Sequence, residues 1–192
     1  MKNLFKILIA ALFFSMSFSS CNQNIDPIKE YESCCGAEPF EFNVDLPDGS
    51  KTYIFVPNAF TPNGDGINDI FAPVLSPDVD HLEYLVIQNE TDQGTELLYQ
   101  TLLITKEDLQ KLGWNGKDQN GKTFKGSFTY TALCVTSKGM AFAVNSKACA
   151  IACDEDANYF KEKEGCFFPV QARNDGTLDK SKSNGEVDCF DK

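Results

Sequence analysis

Apolar and polar residues alternate along Phe40-Glu41-Phe42-Asn43-Val44-Asp45-Leu46, and this period of two predicts a half-buried strand. Pro47-Asp48-Gly49-Ser50 is a turn signal. The β-branched and aromatic run Thr52-Tyr53-Ile54-Phe55-Val56 predicts the next strand. Residues 82–87 and 97–103 predict two more strands, joined by a turn across residues 90–95. Residues 127–136 and 140–144 bracket Ser137-Lys138-Gly139 and predict a closing hairpin. One segment breaks the pattern. Thr105, the first-turn acids Glu107 and Asp108, Leu109 and Leu112 on one side, and Gly113 after the last turn predict a short helix over 105–113. About seven short strands with turn signals between them argue for an all-β chain, a sandwich rather than βαβ units.

The densest run is Val56-Pro57-Asn58-Ala59-Phe60-Thr61-Pro62-Asn63-Gly64-Asp65-Gly66-Ile67-Asn68-Asp69-Ile70-Phe71. Its prolines fix φ, Asn63-Gly64 and Asp65-Gly66 are turn dipeptides, and Asn68-Asp69 add short side chains that bond their own backbone. Phe60 and Phe71 flank the polar centre, so the loop is expected to have its ends pinned in a core and its middle held by side-chain-to-backbone hydrogen bonds. The run also fits part of a calcium-loop register. With Thr61 at the first position, Asn63, Asp65, Gly66 and Asp69 fall at the third, fifth, sixth and ninth, but Ala72 stands where the bidentate Glu is needed. Asn63, Asp65, Asn68 and Asp69 are the candidate calcium ligands, and a self-capped structural loop is the competing and preferred reading. Trp114 poses a similar choice between a sugar-stacking platform and closure of the core; a solitary Trp beside turn residues reads as core.

Together with Trp114-Asn115-Gly116-Lys117-Asp118-Gln119-Asn120-Gly121 and Gly126-Ser127-Phe128-Thr129-Tyr130, the run resembles the gliding-motility-associated C-terminal domain family, whose pattern is PNAFTPNGDGxND, then WDG…G, then GxYxY. The resemblance covers residues 52–146 and implies an immunoglobulin-like sandwich. Asn89-Glu90-Thr91-Asp92 replaces the family's N-R-W-G, and Lys125 stands where a proline is common. Modules of this family end their chains and serve as sorting signals for type IX secretion. Here 46 residues follow position 146 in a chain of 192, which leaves the module read as an architectural or binding domain.

Composition adds an address. Met1-Lys2-Asn3 precedes an apolar stretch shorter than a membrane span, so residues 1–20 are expected to be a secretory leader. Phe18-Ser19-Ser20-Cys21 resembles a bacterial lipobox, which implies cleavage before Cys21, acylation there and stable anchoring to the membrane. The expected location is the cell envelope, as an outer-membrane lipoprotein. Residues 21–36 read as a tether, 37–146 as the sandwich and 147–192 as a cysteine-rich tail. The net charge is −11, from 17 basic and 28 acidic residues, with no basic run, which argues against a nucleic-acid partner.

Eight cysteines in an exported chain point to disulfides. Apart from Cys21 the candidates are Cys34, Cys35, Cys134, Cys149, Cys153, Cys166 and Cys189. Their number is odd, so at least one is expected to stay free or to pair between molecules, unless Cys21 itself is unacylated. Zinc is the weaker alternative, since no Cys-x-x-Cys pair exists and His81 is the only histidine. The tail has too few apolar residues for its own core and is expected to be ordered by cysteine staples and by docking of Phe167-Phe168-Pro169-Val170. No nucleophile or metal-binding motif stands out. The sequence therefore reads as a non-enzymatic, lipid-anchored envelope protein that binds an envelope protein or glycan or serves a structural role. It implies no cofactor unless the loop takes calcium. A type IX secretion substrate or accessory is the alternative, and a hydrolase using the acidic loop a remote one.

Overall fold

Residues 29, 31–36 and 40–191 are described by the structure, a computed structural model; the leader, Cys21 and most of the expected tether lie outside them. β1 (Glu41–Asp45) and β2 (Lys51–Phe55) form an antiparallel hairpin running from Glu41↔Phe55 to Asp45↔Lys51. Its turn is fixed by Asp48, whose carboxylate accepts the Ser50 N–H and hydroxyl. β4 (Val74–Leu75) adds to the other edge of β2, giving a three-stranded sheet.

Five strands form the second sheet: β3 (Ala59–Phe60), β5 (Val79–Thr91), β6 (Gly94–Thr105), β7 (Gly126–Thr136) and β8 (Ala141–Ala150). Their spatial order is β3-β8-β7-β5-β6, antiparallel throughout except where β3 runs parallel to β8. The period of two is cleanest in β7. Gly126, Phe128, Tyr130, Ala132, Cys134 and Thr136 are buried while the residues between them are half-buried. One apolar cluster joins the two sheets, with Ile54 and Leu75 from the smaller and Leu82, Leu85, Ile87, Phe128 and Val144 from the larger. Strand-rich architecture with two sheets around a shared core is thus as the alternation predicts.

Three local expectations change. The β5–β6 turn closes in two residues, Asp92 and Gln93, instead of spanning 90–95. Thr91 makes this work: its hydroxyl donates to the Gly94 carbonyl and accepts the Gln93 N–H. The helix over 105–113 is a 3-10 turn (Lys106–Asp108) followed by the single helical turn α1 (Leu109–Leu112). Leu109 is buried there, but Leu112 is exposed, so the two do not share a buried face.

The third change concerns both ends of the chain. Tyr31, in the segment read as a tether, is fully buried and sits edge-on to Phe160 at 4.8 Å. It belongs to a second apolar cluster with Cys34, Cys35, Ala59, Cys149, Ile151, Ala157, Phe160, Phe168, Cys189 and Phe190. Residues 31–35 therefore form part of a folded cap rather than a free tether. The tail supplies the rest of this cap through 3-10 turns at Glu155–Phe160 and Pro169–Gln171 and the short helix α2 (Val187–Phe190). The tail, expected to lack a core, supplies most of this second cluster, and disulfides and docking tie it to the N-terminal segment and to the large sheet.

Candidate functional site

The loop at 61–70 leaves β3 and returns at Phe71, and its two flanking rings meet in the core. Phe60 and Phe71 lie 5.7 Å apart, and both pack on Phe128. Phe71 also exchanges backbone hydrogen bonds with Trp114, at 2.8 and 3.0 Å. Trp114 is fully buried, its Nε1–H donates to the Lys117 carbonyl at 2.7 Å, and Phe60, Phe124 and Phe128 surround it. A ring with no exposed face cannot stack on a sugar, so core closure is its role.

Inside the loop the carboxylates face backbone. Asp69 accepts the Gly64 N–H at 2.6 Å with one oxygen and the Gly66 N–H at 2.7 Å with the other. Asp65 Oδ1 accepts the Ile67 N–H, Asp65 Oδ2 accepts from the Asn63 amide, and Asn63 Oδ1 accepts the Asp65 N–H. Each of these oxygens accepts a donor from within the loop, the pattern of a self-capped turn. Asn68, the fourth candidate ligand, is directed elsewhere. Its backbone is left-handed (φ 50°), and its side chain accepts the Val170 N–H and donates to the Asn184 carbonyl and to Glu186 Oε1. The four residues thus split into a self-capped trio, Asn63, Asp65 and Asp69, and one strut to the tail.

Glu186 is the residue that sequence reasoning missed. It is only 2% exposed, and its Oε1 accepts from the Thr61 hydroxyl and the Asn68 amide, both at 2.5 Å. Oε2 is buried without a hydrogen-bond partner. Burial pushes the Glu186 carboxyl above the usual range; the two hydrogen bonds oppose that rise, and the nearby charges of Asp65 and Asp69 add to it. The only sequence signal is an acid three residues before a cysteine, which places both on one side of a helical turn.

Three disulfides fasten the cap, Cys34–Cys149, Cys35–Cys166 and Cys153–Cys189, and of these Cys34–Cys149 is the one that reaches a strand. Cys149 lies on β8, where it pairs with Ala59, so the first bond fastens the N-terminal segment directly to the large sheet. Cys134, a disulfide candidate from its residue type, is instead a free thiol. It faces the core from the central strand β7 at 0% exposure, and burial pushes its thiol up to about 12. Cys21 lies outside the described residues. His81 is engaged by Asp80 at 2.9 Å and Glu83 at 3.4 Å, and it joins no metal-binding group with the cysteines among the described residues.

Lys125 also serves the cap. Its Nζ lies 2.9 Å from Asp154 and 2.5 Å from Asp156, and 5.3 Å from the centre of the Tyr31 ring. The chain matches no family model, no curated protein and no solved structure.

Proposed function

We propose that this protein is a lipid-anchored, non-enzymatic module of the cell envelope, an immunoglobulin-like sandwich of the gliding-motility-associated type that binds an envelope partner or holds a structural position. The observation that carries the reading is the pair of bonds Cys34–Cys149 and Cys35–Cys166. Such bonds persist in oxidising, exported compartments. They also lock the chain close behind the lipobox-like cysteine: Tyr31, the first buried residue among the described ones, stands ten positions after Cys21. Ten residues reach at most about 35 Å, so an acyl group at Cys21 would hold the sheets near the membrane surface. Among the described residues no helix is long and apolar enough to cross a membrane.

The large sheet offers a surface for a partner. Its outer face carries a cross-strand row in which Leu102 pairs with Tyr84, Tyr84 with Leu133 and Leu133 with Ala143, and Leu102 is 74% exposed. Apolar side chains opposite one another on an uncovered sheet face suit contact with another surface.

The test is the address. Cys21→Ala should move the protein from the membrane fraction to the soluble envelope fraction with all three disulfides intact by peptide mapping. A Cys21→Ala protein that stays on the membrane would defeat the anchoring reading and favour type IX sorting by the module.

A further inference from the structure

Among the described residues one group brings together three side chains able to hold a cation: Cys153, Glu186 and Cys189, whose ligand atoms all lie within 4.8 Å of one another. The two sulfurs are joined as a disulfide, and sulfurs bonded to each other do not act as thiolate ligands. The carboxyl group beside them is the unusual part. Glu186 is 2% exposed and its Oε2 has no hydrogen-bond donor, although leaving a buried acceptor unmade costs about 1–3 kcal/mol. Its Oε1 is held by Thr61 and Asn68, which fix the group's position.

The surroundings provide an entry path. Cys153 and Cys189 line a surface cleft with Asn63, Asp65, Asp154 and Asp188, so its mouth is acidic and attracts cations. Glu186 and Cys189 stand three residues apart at the turn of α2, and Cys153 approaches from the segment after β8. Two sulfurs and one carboxylate oxygen are three of the four ligands that a tetrahedral, borderline-soft divalent ion takes, and water supplies the fourth at an open site. The other two disulfides have no such third ligand among the described residues.

We propose that Cys153, Cys189 and Glu186 form a binding site for a zinc-class divalent cation in the dithiol form of the protein. The disulfide is then the metal-free form of the same fastening. Both forms tie α2 to the segment after β8, and Glu186 ties it to the loop at 61–70. Binding to the dithiol releases the two thiol protons as the sulfurs become thiolates. Conversion to the disulfide follows thiol–disulfide exchange with an exported disulfide oxidant. One protein thiolate attacks the oxidant's disulfide and expels a thiolate; the second protein thiolate then attacks the mixed disulfide and expels the other. Two electrons pass to the oxidant, the protein's S–S bond forms, and the cation leaves. A dithiol reductant drives the reverse.

The experiment uses the full mature chain, treated with a phosphine reductant until peptide mapping shows Cys153–Cys189 open, and then titrated with Co²⁺ as the probe. The wild type should bind one Co²⁺ with thiolate-to-metal charge transfer and the strong visible absorption of a tetrahedral site. Bound Co²⁺ should slow alkylation of Cys153 and Cys189 and of no other cysteine. Glu186→Gln should weaken binding by about tenfold or more, as loss of a supporting group at a metal site does. Cys153→Ser with Cys189→Ser should abolish it. The proposal is overturned if reduced wild type binds no Co²⁺, if Glu186→Gln binds it equally well, or if the double serine variant retains it. The alkylation map decides the matter independently should a variant fail to fold: protection of a different cysteine pair overturns the assignment.

Discussion

Thr61 and Glu186, 125 positions apart, share a buried hydrogen bond of 2.5 Å that joins the first residue of the loop after β3 to the residue that opens α2. Asn68 reinforces it from the loop's far side. A left-handed Asn there makes three bonds to the tail, with Val170, Asn184 and Glu186. Each is worth about 1 kcal/mol net, and a non-glycine Cβ at positive φ adds about 1 kcal/mol of strain when the side chain cannot compensate. Asn68→Ala should therefore destabilise by about 3–4 kcal/mol. Asn68→Gly should cost about 1 kcal/mol less, since it loses the same bonds without the strain. Urea unfolding of the two variants beside the wild type checks both values.

Gly66 separates backbone conformation from contact in the same loop. Its φ is 90°, and an added Cβ would meet nothing within 4 Å. Gly66→Ala should thus cost only the left-handed penalty, about 1 kcal/mol. A much larger loss in the melting experiment would mean that the loop rearranges.

Much of this loop was legible before the fold was known, because turn dipeptides and Asx side chains act over two to five residues. Asp69, Asp65 and Asn63 cap their own backbone as their spacing implies. Phe128 faces inward by the period of two on β7, and the loop's apolar ends Phe60 and Phe71 pack against it. What could not be read was anything settled between distant segments. Nothing around Tyr31 announces burial, since its partners Phe160 and Ala152 come from the tail. Nor does the calcium-like register reveal that Asn68 turns away from the loop, a choice made by Glu186 at 118 residues' distance. Cysteine pairing is illegible for the same reason: residue type marks Cys134 equally with the others, and only its inward place on β7 leaves it alone.

Glu186 also sets a pH dependence. Its carboxyl is raised in the fold, chiefly by burial, so between the ordinary value of 4.5 and the folded value the native protein holds a proton that the unfolded chain has lost. Its contribution is fully present below about pH 4.5 and declines as pH rises through the folded value. Glu186→Gln keeps an oxygen for Thr61 and Asn68 and removes the ionisation. The variant should match the wild type near pH 4 and become relatively more stable towards pH 7. Denaturant midpoints measured at both ends of this range check it; a gap that narrows as pH rises would refute the sign.

The disulfides should differ in weight. Cys34–Cys149 spans 115 positions and Cys153–Cys189 spans 36. In the chain-entropy description, loop length alone makes the first about 1 kcal/mol the more stabilising. Serine replacement of each pair, followed by urea unfolding, should show that order. In the wild type Cys134, the one free thiol among the described residues, should react with an alkylating reagent only after unfolding, because it is buried and its thiol is held at about 12.

Lys125 gives the clearest separation of the cap from the sheets. Its ammonium sits between Asp154 and Asp156, and its side chain is 22% exposed. Burial alone would lower its proton affinity, but the bonds to Asp156 and Asp154 outweigh that and leave it above the usual lysine range. Lys125→Met retains most of the stem that packs near Tyr31 and removes the charge, leaving two carboxylates facing each other without a cation. The loss should be about 1–3 kcal/mol, the lower part of the range reflecting the partial exposure of both aspartates. Adding Asp154→Asn and Asp156→Asn to the same chain should recover much of it, because the penalty comes largely from the unpaired charges and not from the absent pair. The effect should also be local. Hydrogen exchange at Ala152, whose N–H donates to the Tyr31 hydroxyl, should speed up in Lys125→Met, while amides within the β5–β7 pairing should change no more than global stability requires. Uniform acceleration across β5 and β7 would show instead that cap and sheets unfold as one unit.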